Sequence, residues 1–183
     1  MTLKFAKRLI TILVIVFIIV NVKNIVHHFY PLKYSKYILE YSQKYDVDPY
    51  LVMAIIKTES GFKENVRSNK NAVGLMQITP DTAEWAADKM GIYGFYENML
   101  ENPEFNIKMG CWYIRNLENE FDGNTDLVLA AYNGGRGNVE KWLKEHSSDG
   151  KNLHYIPFKE TDKYVKKVNV NYKVYKKLYR NIN

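Results

Sequence analysis

The sequence predicts a mainly α-helical domain preceded by one apolar helix at its N-terminus. Three observations carry that expectation. No stretch of the 183 residues alternates apolar and polar side chains as a half-buried strand would. Three pairs, Asp48-Pro49, Thr79-Pro80 and Asn102-Pro103, place an N-cap residue before a first-turn proline, the signature of a helix start. And residues 9–20 form an apolar run, broken only by Thr11, directly behind Lys4, Lys7 and Arg8.

The apolar run comes first. It has the length of a signal-peptide core and is short for a full membrane span. Residues 9–26 become long enough to span if Asn21, Lys23 and Asn24 lie near the interface, where long side chains snorkel. No small-x-small cleavage pattern follows, and no cysteine is available there for a lipid anchor. The favoured reading is an uncleaved signal-anchor over residues 1–30, with a cleaved signal peptide as its alternative. In either case the basic flank stays inside and residues 31–183 are exported. The exported part, about 150 residues, is one ordinary domain with enough chain for a core.

The formal net charge of +6 suits an anionic partner without choosing one. Export argues against nucleic acid and leaves wall affinity or plain solubility as readings of that charge. The single cysteine, Cys111, excludes an intrachain disulfide. It lies in phase with Ile107, Ile114 and Leu117 and reads as a core thiol.

The helices follow in order. Residues 33–47 are amphipathic, with Tyr37, Ile38 and Tyr41 on one side. Residues 49–60 form a helix stopped by Gly61. Residues 61–78 are rich in Gly, Asn, Ser and Lys and read as an irregular or short hairpin region. A helix opens at Thr79-Pro80 and stops at Gly91, and a longer one opens at Asn102-Pro103. "TDLVLAAYNGG" is a short apolar helix ended by glycines, and "GNVEKWLKEH" continues as another. The last, from Glu160, is amphipathic with Val165, Val168, Tyr172, Tyr175 and Tyr179 nearly in phase.

One residue breaks the pattern. In the 49–60 helix Val52, Ile55 and Ile56 mark an apolar stripe, and the next position on it is Glu59. A carboxylate there loses water and faces the negative end of the helix dipole; both effects disfavour its charge. A carboxyl whose pKa is raised toward neutrality can act as a general acid. The bland alternative is a glutamate turned outward, or paired with Lys57 or Lys63.

The neighbouring motifs bear on this choice. "ESGF" at 59–62, "SNKNAVGLMQITPDTA" from Ser68, "AAYNGG" at 130–135 and "ETDKYV" at 160–165 occur in that order. Together they resemble the soluble-lytic-transglycosylase family of the lysozyme-like superfamily, over roughly residues 34–180. Departures are small: Thr79 where many members carry methionine, and Gly134 where alanine is frequent. The resemblance implies a lysozyme-like fold of the goose-type/SLT kind. It also implies cleavage of the β-1,4 bond between N-acetylmuramic acid and N-acetylglucosamine in peptidoglycan glycan strands. Glu59 then matches the single catalytic acid. It would protonate the leaving oxygen, then take the proton of the muramic C6 hydroxyl as that oxygen closes a 1,6-anhydro ring.

By the same resemblance Ser68, Gln77, Tyr132, Asn133 and Tyr164 are the substrate-site residues. Ser68 would lie near an acetamido group, Gln77 would offer an amide donor and acceptor, and Tyr132 with Asn133 would line the cleft. Tyr164 would hold the Glu59 carboxyl. Structural alternatives stay open for each: a turn serine, a solvated glutamine, a C-cap at Asn133, a core tyrosine. Gly74 would let backbone approach a sugar. Trp85, Trp112 and Trp142 read mostly as core. No cofactor is expected. His27, His28, His146 and His154 lack ligand spacing, so no metal is expected. Two other functions compete: a hydrolytic muramidase on the same fold, with Glu64, Asp81 or Glu84 as second carboxylate, and a wall-binding component of a secretion, conjugation or sporulation apparatus. The sequence names no protein partner.

Overall fold

The computed structural model of the chain describes residues 3–180 and 182. They fall into two compact units, one ending at Lys33 and the other beginning at Tyr34.

The first unit is one helix, α1 (Leu3–Phe29), about 40 Å long at 1.5 Å per residue. Its segment Lys4–Val22 has a mean hydropathy of 2.3 and no buried residue, and is long and apolar enough to cross a membrane. The polar residues do not interrupt it. The Thr11 hydroxyl donates to the Lys7 carbonyl (3.0 Å) and the Asn21 amide to the Phe17 carbonyl (2.9 Å), so each is satisfied along its own helix.

The second unit contains α2 (Ser35–Tyr45), α3 (Pro49–Glu59), α4 (Pro80–Lys89), α5 (Pro103–Glu120), α6 (Thr125–Gly134), α7 (Arg136–His146) and α8 (Lys159–Leu178), with a 3-10 turn at Glu97–Glu101. The helix starts are those the capping pairs predict. Asp48 accepts from the Tyr50 N–H, Thr79 from that of Thr82, and Asn102 from that of Phe105. Among the described residues β-structure amounts to two isolated antiparallel bridges, Arg67 with Val73 and Val73 with Ile78, inside the expected hairpin-like segment.

Helix α3 is the centre of the core. The expected stripe of Val52, Ile55 and Ile56 understates it: Met53 and Ala54 are also wholly inaccessible, so the middle of α3, residues 51–56, is buried all round while its two ends are half-buried. It packs mainly on α8 and also on α2, while α6 joins α5 to α8. On α8 the inner residues are Thr161, Tyr164, Val165, Val168, Asn171 and Tyr175. Tyr172 and Tyr179, expected on that stripe, are half-buried flanks. The Tyr172 hydroxyl donates to the Asp48 carboxylate (2.7 Å) and so ties α8 to the start of α3. The Asn171 amide donates to Thr58 Oγ1 near its end (2.9 Å). Cys111 is buried on α5, and burial pushes its thiol up to about 12. Trp142 belongs to the core, whereas Trp85 and Trp112 are half-buried and pack edge to face.

Candidate active site

Glu59 is the last residue of α3. Gly61 takes the left-handed conformation (φ 59°) that turns the chain away. The buried Ser60 hydroxyl donates to the Leu75 carbonyl (2.8 Å), fastening the helix end to the following loop. Glu59 thus stands half-buried at the tip of a helix whose middle, residues 51–56, is buried all round. Burial pushes its carboxyl up from 4.5 to about 7. The Tyr164 hydroxyl and the Lys167 ammonium, both from α8, oppose that rise. Lys167, which the sequence reading did not single out, is thus a cation acting on Glu59. The Tyr164 hydroxyl is buried and, beyond this loose approach to Glu59, makes no well-formed hydrogen bond among the described residues.

Residues 61–78 form the wall facing Glu59, and a buried asparagine shapes them. Asn106 on α5 accepts from the Met76 N–H (2.8 Å) and donates to the carbonyls of Val73 and Leu100 (2.9 Å each). Gly74 lies against it with φ 78°, and a Cβ there would come within 2.4 Å of Asn106 Nδ2. The expected role of Gly74, room for a sugar, is corrected: the close approach is to Asn106. Met76 fills a notch left by Gly110, where a Cβ would meet its sulfur at 2.1 Å. Gln77 is itself left-handed (φ 49°), and its amide donates to the carbonyls of Val66 (3.0 Å) and Gly74 (2.9 Å). Both amide protons serve the loop, so only its carbonyl oxygen remains to offer a ligand.

These parts enclose an open cleft of about 310 Å³. Five of the six residues singled out in the sequence line it: Glu59, Ser68, Gln77, Tyr132 and Asn133. Tyr164 is placed beside the Glu59 carboxyl and is absent from the lining. Ser68 Oγ accepts from the N–H groups of Lys70 (3.2 Å) and Ala72 (3.1 Å), which leaves its proton to donate. The Tyr132 hydroxyl donates to the Met76 carbonyl (2.8 Å), so the tyrosine offers its ring as wall. Asn133 does not cap α6; Gly135, at φ 89°, ends that helix and begins α7.

Sequence reading did not single out Asn69, Lys70, Ala72 or Glu160, which also line the cleft, and it treated Thr79 as a cap and a departure from the family pattern, not as a lining residue. Lys70 and Glu160 form an exposed ion pair at 4.0 Å. Glu160 begins the "ETDKYV" motif, and that was the available signal. Glu64, Asp81 and Glu84 are not in the lining. Glu64 instead accepts from the Tyr34 hydroxyl (2.9 Å). Among the described residues no group of three or more His, Cys, Asp or Glu side chains is placed to hold a metal.

The cleft can be set beside known proteins. Residues 36–155 match the family described as Transglycosylase SLT domain. The soluble lytic murein transglycosylase of Escherichia coli (strain K12) is 34% identical over 143 residues, which cover 76% of this chain and 22% of that protein. The membrane-bound lytic murein transglycosylase C of Serratia proteamaculans (strain 568) is 36% identical over 126 residues, 64% of this chain and 34% of that protein. The chain thus spans about a third or less of the length of these two relatives. Among solved structures, the 70 kDa soluble lytic transglycosylase of Escherichia coli superposes with a TM-score of 0.79 at 31% identity, covering 85% of this chain and 26% of that one. The mainly α, lysozyme-like architecture expected from the four motifs is the architecture observed. With a family match over most of its helical unit and the same fold in a relative above 30% identity, the chain belongs to the transglycosylase SLT domain family.

Proposed function

We propose that this protein is a peptidoglycan lytic transglycosylase that cleaves the β-1,4 bond between N-acetylmuramic acid and N-acetylglucosamine. One observation carries the reading: Glu59 is a half-buried carboxyl in an open polar cleft, with its pKa brought to about 7. Such a group holds a proton near neutral pH and can give it to a leaving glycosidic oxygen. Once ionised it can take the proton of the muramic C6 hydroxyl, whose oxygen bonds to C1 and closes the 1,6-anhydro ring. The proton count is closed by Glu59 alone, and no water is consumed.

The other residues bind and orient. Ser68 donates its free hydroxyl proton and Gln77 presents its carbonyl oxygen to the sugar's acetamido and hydroxyl groups. Asn133 adds a polar contact, the Tyr132 ring forms a wall, and Tyr164 steadies the Glu59 carboxyl. A hydrolytic muramidase is the competing reading, because two-carboxylate glycosidases use a second acid and Glu160 lines the same cleft. The exposure of Glu160 and its pairing with Lys70 fit a rim residue better than a buried base.

Residues 1–30 act as an uncleaved signal-anchor, a single pass that leaves the catalytic domain, residues 31–183, outside the cell. The apolar Lys4–Val22 segment and the membrane-bound relative support this. Protease accessibility in whole cells tests it; a soluble mature protein starting after residue 24 would mean a cleaved signal. Product analysis tests the chemistry. Digestion of peptidoglycan in oxygen-18 water should give unlabelled ends that resist borohydride and are lighter by one water. Labelled, reducible ends would establish the muramidase reading instead.

A further inference from the structure

The positive charge of the chain is not spread over its surface. Residues 159–180 carry eight Lys and Arg side chains against two carboxylates, Glu160 and Asp162. That excess equals the formal +6 of the whole chain, so everything else is balanced. Both carboxylates lie in the first turn of α8, and residues 163–180 contain no acid. Lys159, Lys163, Lys166, Lys173 and Lys177 are all exposed and recur at spacings of four, three, seven and four. They share one face of the helix, opposite the buried stripe of Tyr164, Val168, Asn171 and Tyr175. The single gap in the row is Val170, itself 59% exposed. Lys166 pairs with Asp162 (2.7 Å), and none of the other four shares that partner.

We propose that this lysine face of α8 binds the phosphate headgroups of an anionic lipid bilayer. A solvating surface mixes both signs, and this one does not. A protein partner is a poor fit, since the face has one exposed apolar residue and protein interfaces are depleted in lysine. Compact ammonium charges on flexible stems suit a diffuse layer of phosphates. Clusters of four to eight such residues on a helix face are the pattern of anionic-lipid binding, each lysine contributing about fivefold in affinity. Only residues 30–34 separate α1 from α2. A bilayer that receives α1 is therefore held at high effective concentration to the domain that carries α8.

The test is a lysine footprint on the full chain. The protein is incorporated into vesicles of phosphatidylcholine alone or with phosphatidylglycerol, acetylated briefly, and mapped by mass spectrometry. Lys163, Lys166, Lys173 and Lys177 should be protected about fivefold or more in the anionic vesicles relative to the neutral ones. Lys89 on α4 and Lys141 on α7 should react equally in both. Protection should vanish at about 1 M salt, where the Debye length is about 3 Å. In the triple variant Lys166→Glu, Lys173→Glu, Lys177→Glu, whose changes are all at exposed positions, Lys163 should lose its protection while helicity by circular dichroism is kept. Equal reactivity in the two vesicle types would overturn the proposal, as would protection that survives in the triple variant. Protection by soluble polyphosphate but not by anionic vesicles would also overturn it and make the face a reader of linear polyanions.

Discussion

Glu59→Gln is the most informative single change, because the site's electrostatics make it a stability prediction as well as a catalytic one. The Glu59 carboxyl titrates at about 7 in the folded protein and near its ordinary 4.5 when unfolded. Between those values the folded state holds a proton that the unfolded state has released. The contribution of Glu59 to stability is therefore fully present below pH 4.5 and is lost as pH rises through 7. The gap between 4.5 and about 7 corresponds to about 3 kcal/mol. Glutamine keeps the shape and never ionises. Glu59→Gln should therefore match the parent at pH 4 and exceed it by about 3 kcal/mol at pH 8. For a domain of this size that is roughly 6–12 °C in Tm. Urea unfolding of residues 31–183 at a series of pH values measures it. A stability difference that stays flat between pH 4 and 8 would refute the claim that burial of this carboxyl is what raises its pKa.

The same variant should lose glycan cleavage by about 10²–10⁴-fold or more, read as muropeptides released from purified peptidoglycan. In the parent protein, cleavage should decline as pH rises through about 7, where Glu59 loses its proton. Tyr164→Phe and Lys167→Met each remove a group that lowers the Glu59 pKa, so both should move that limb of the pH–rate profile to higher pH; an unmoved limb counts against the assigned contacts. Gly74→Ala forces a Cβ to 2.4 Å from Asn106 at a left-handed position and should cost about 1–3 kcal/mol or more in urea unfolding. Asn106→Ala leaves three buried backbone groups without their partner and should cost about 3 kcal/mol or more by the same measure. Cys111 should resist alkylation in the native protein and react on unfolding, since its thiol is buried and pushed up to about 12.

What the sequence determined by itself was everything local. The starts of α3, α4 and α5 were legible because an N-cap bonds to an N–H two or three residues away, so cap and helix are read in one glance. The apolar α1 was legible because its composition needs no partner to interpret it. Glu59 stood out because a 3.6-residue period specifies what each position on a stripe should be. The four motifs carried the family, and with it five of the residues that line the cleft. Tertiary structure decided the rest. Whether the middle of α3 has one buried face or is buried all round depends on how many helices reach it, and the packing around its last turn sets how far the Glu59 carboxyl is desolvated. The role of Gly74 depends on Asn106, more than thirty residues away, and the free atoms of Gln77 depend on which loop carbonyls its amide meets. Glu160 and Lys70 face one cleft only because α8 is brought back against the 61–78 loop. Caps and periods are contacts within one turn of chain, while a cleft is made where distant segments meet, and no local pattern records that meeting.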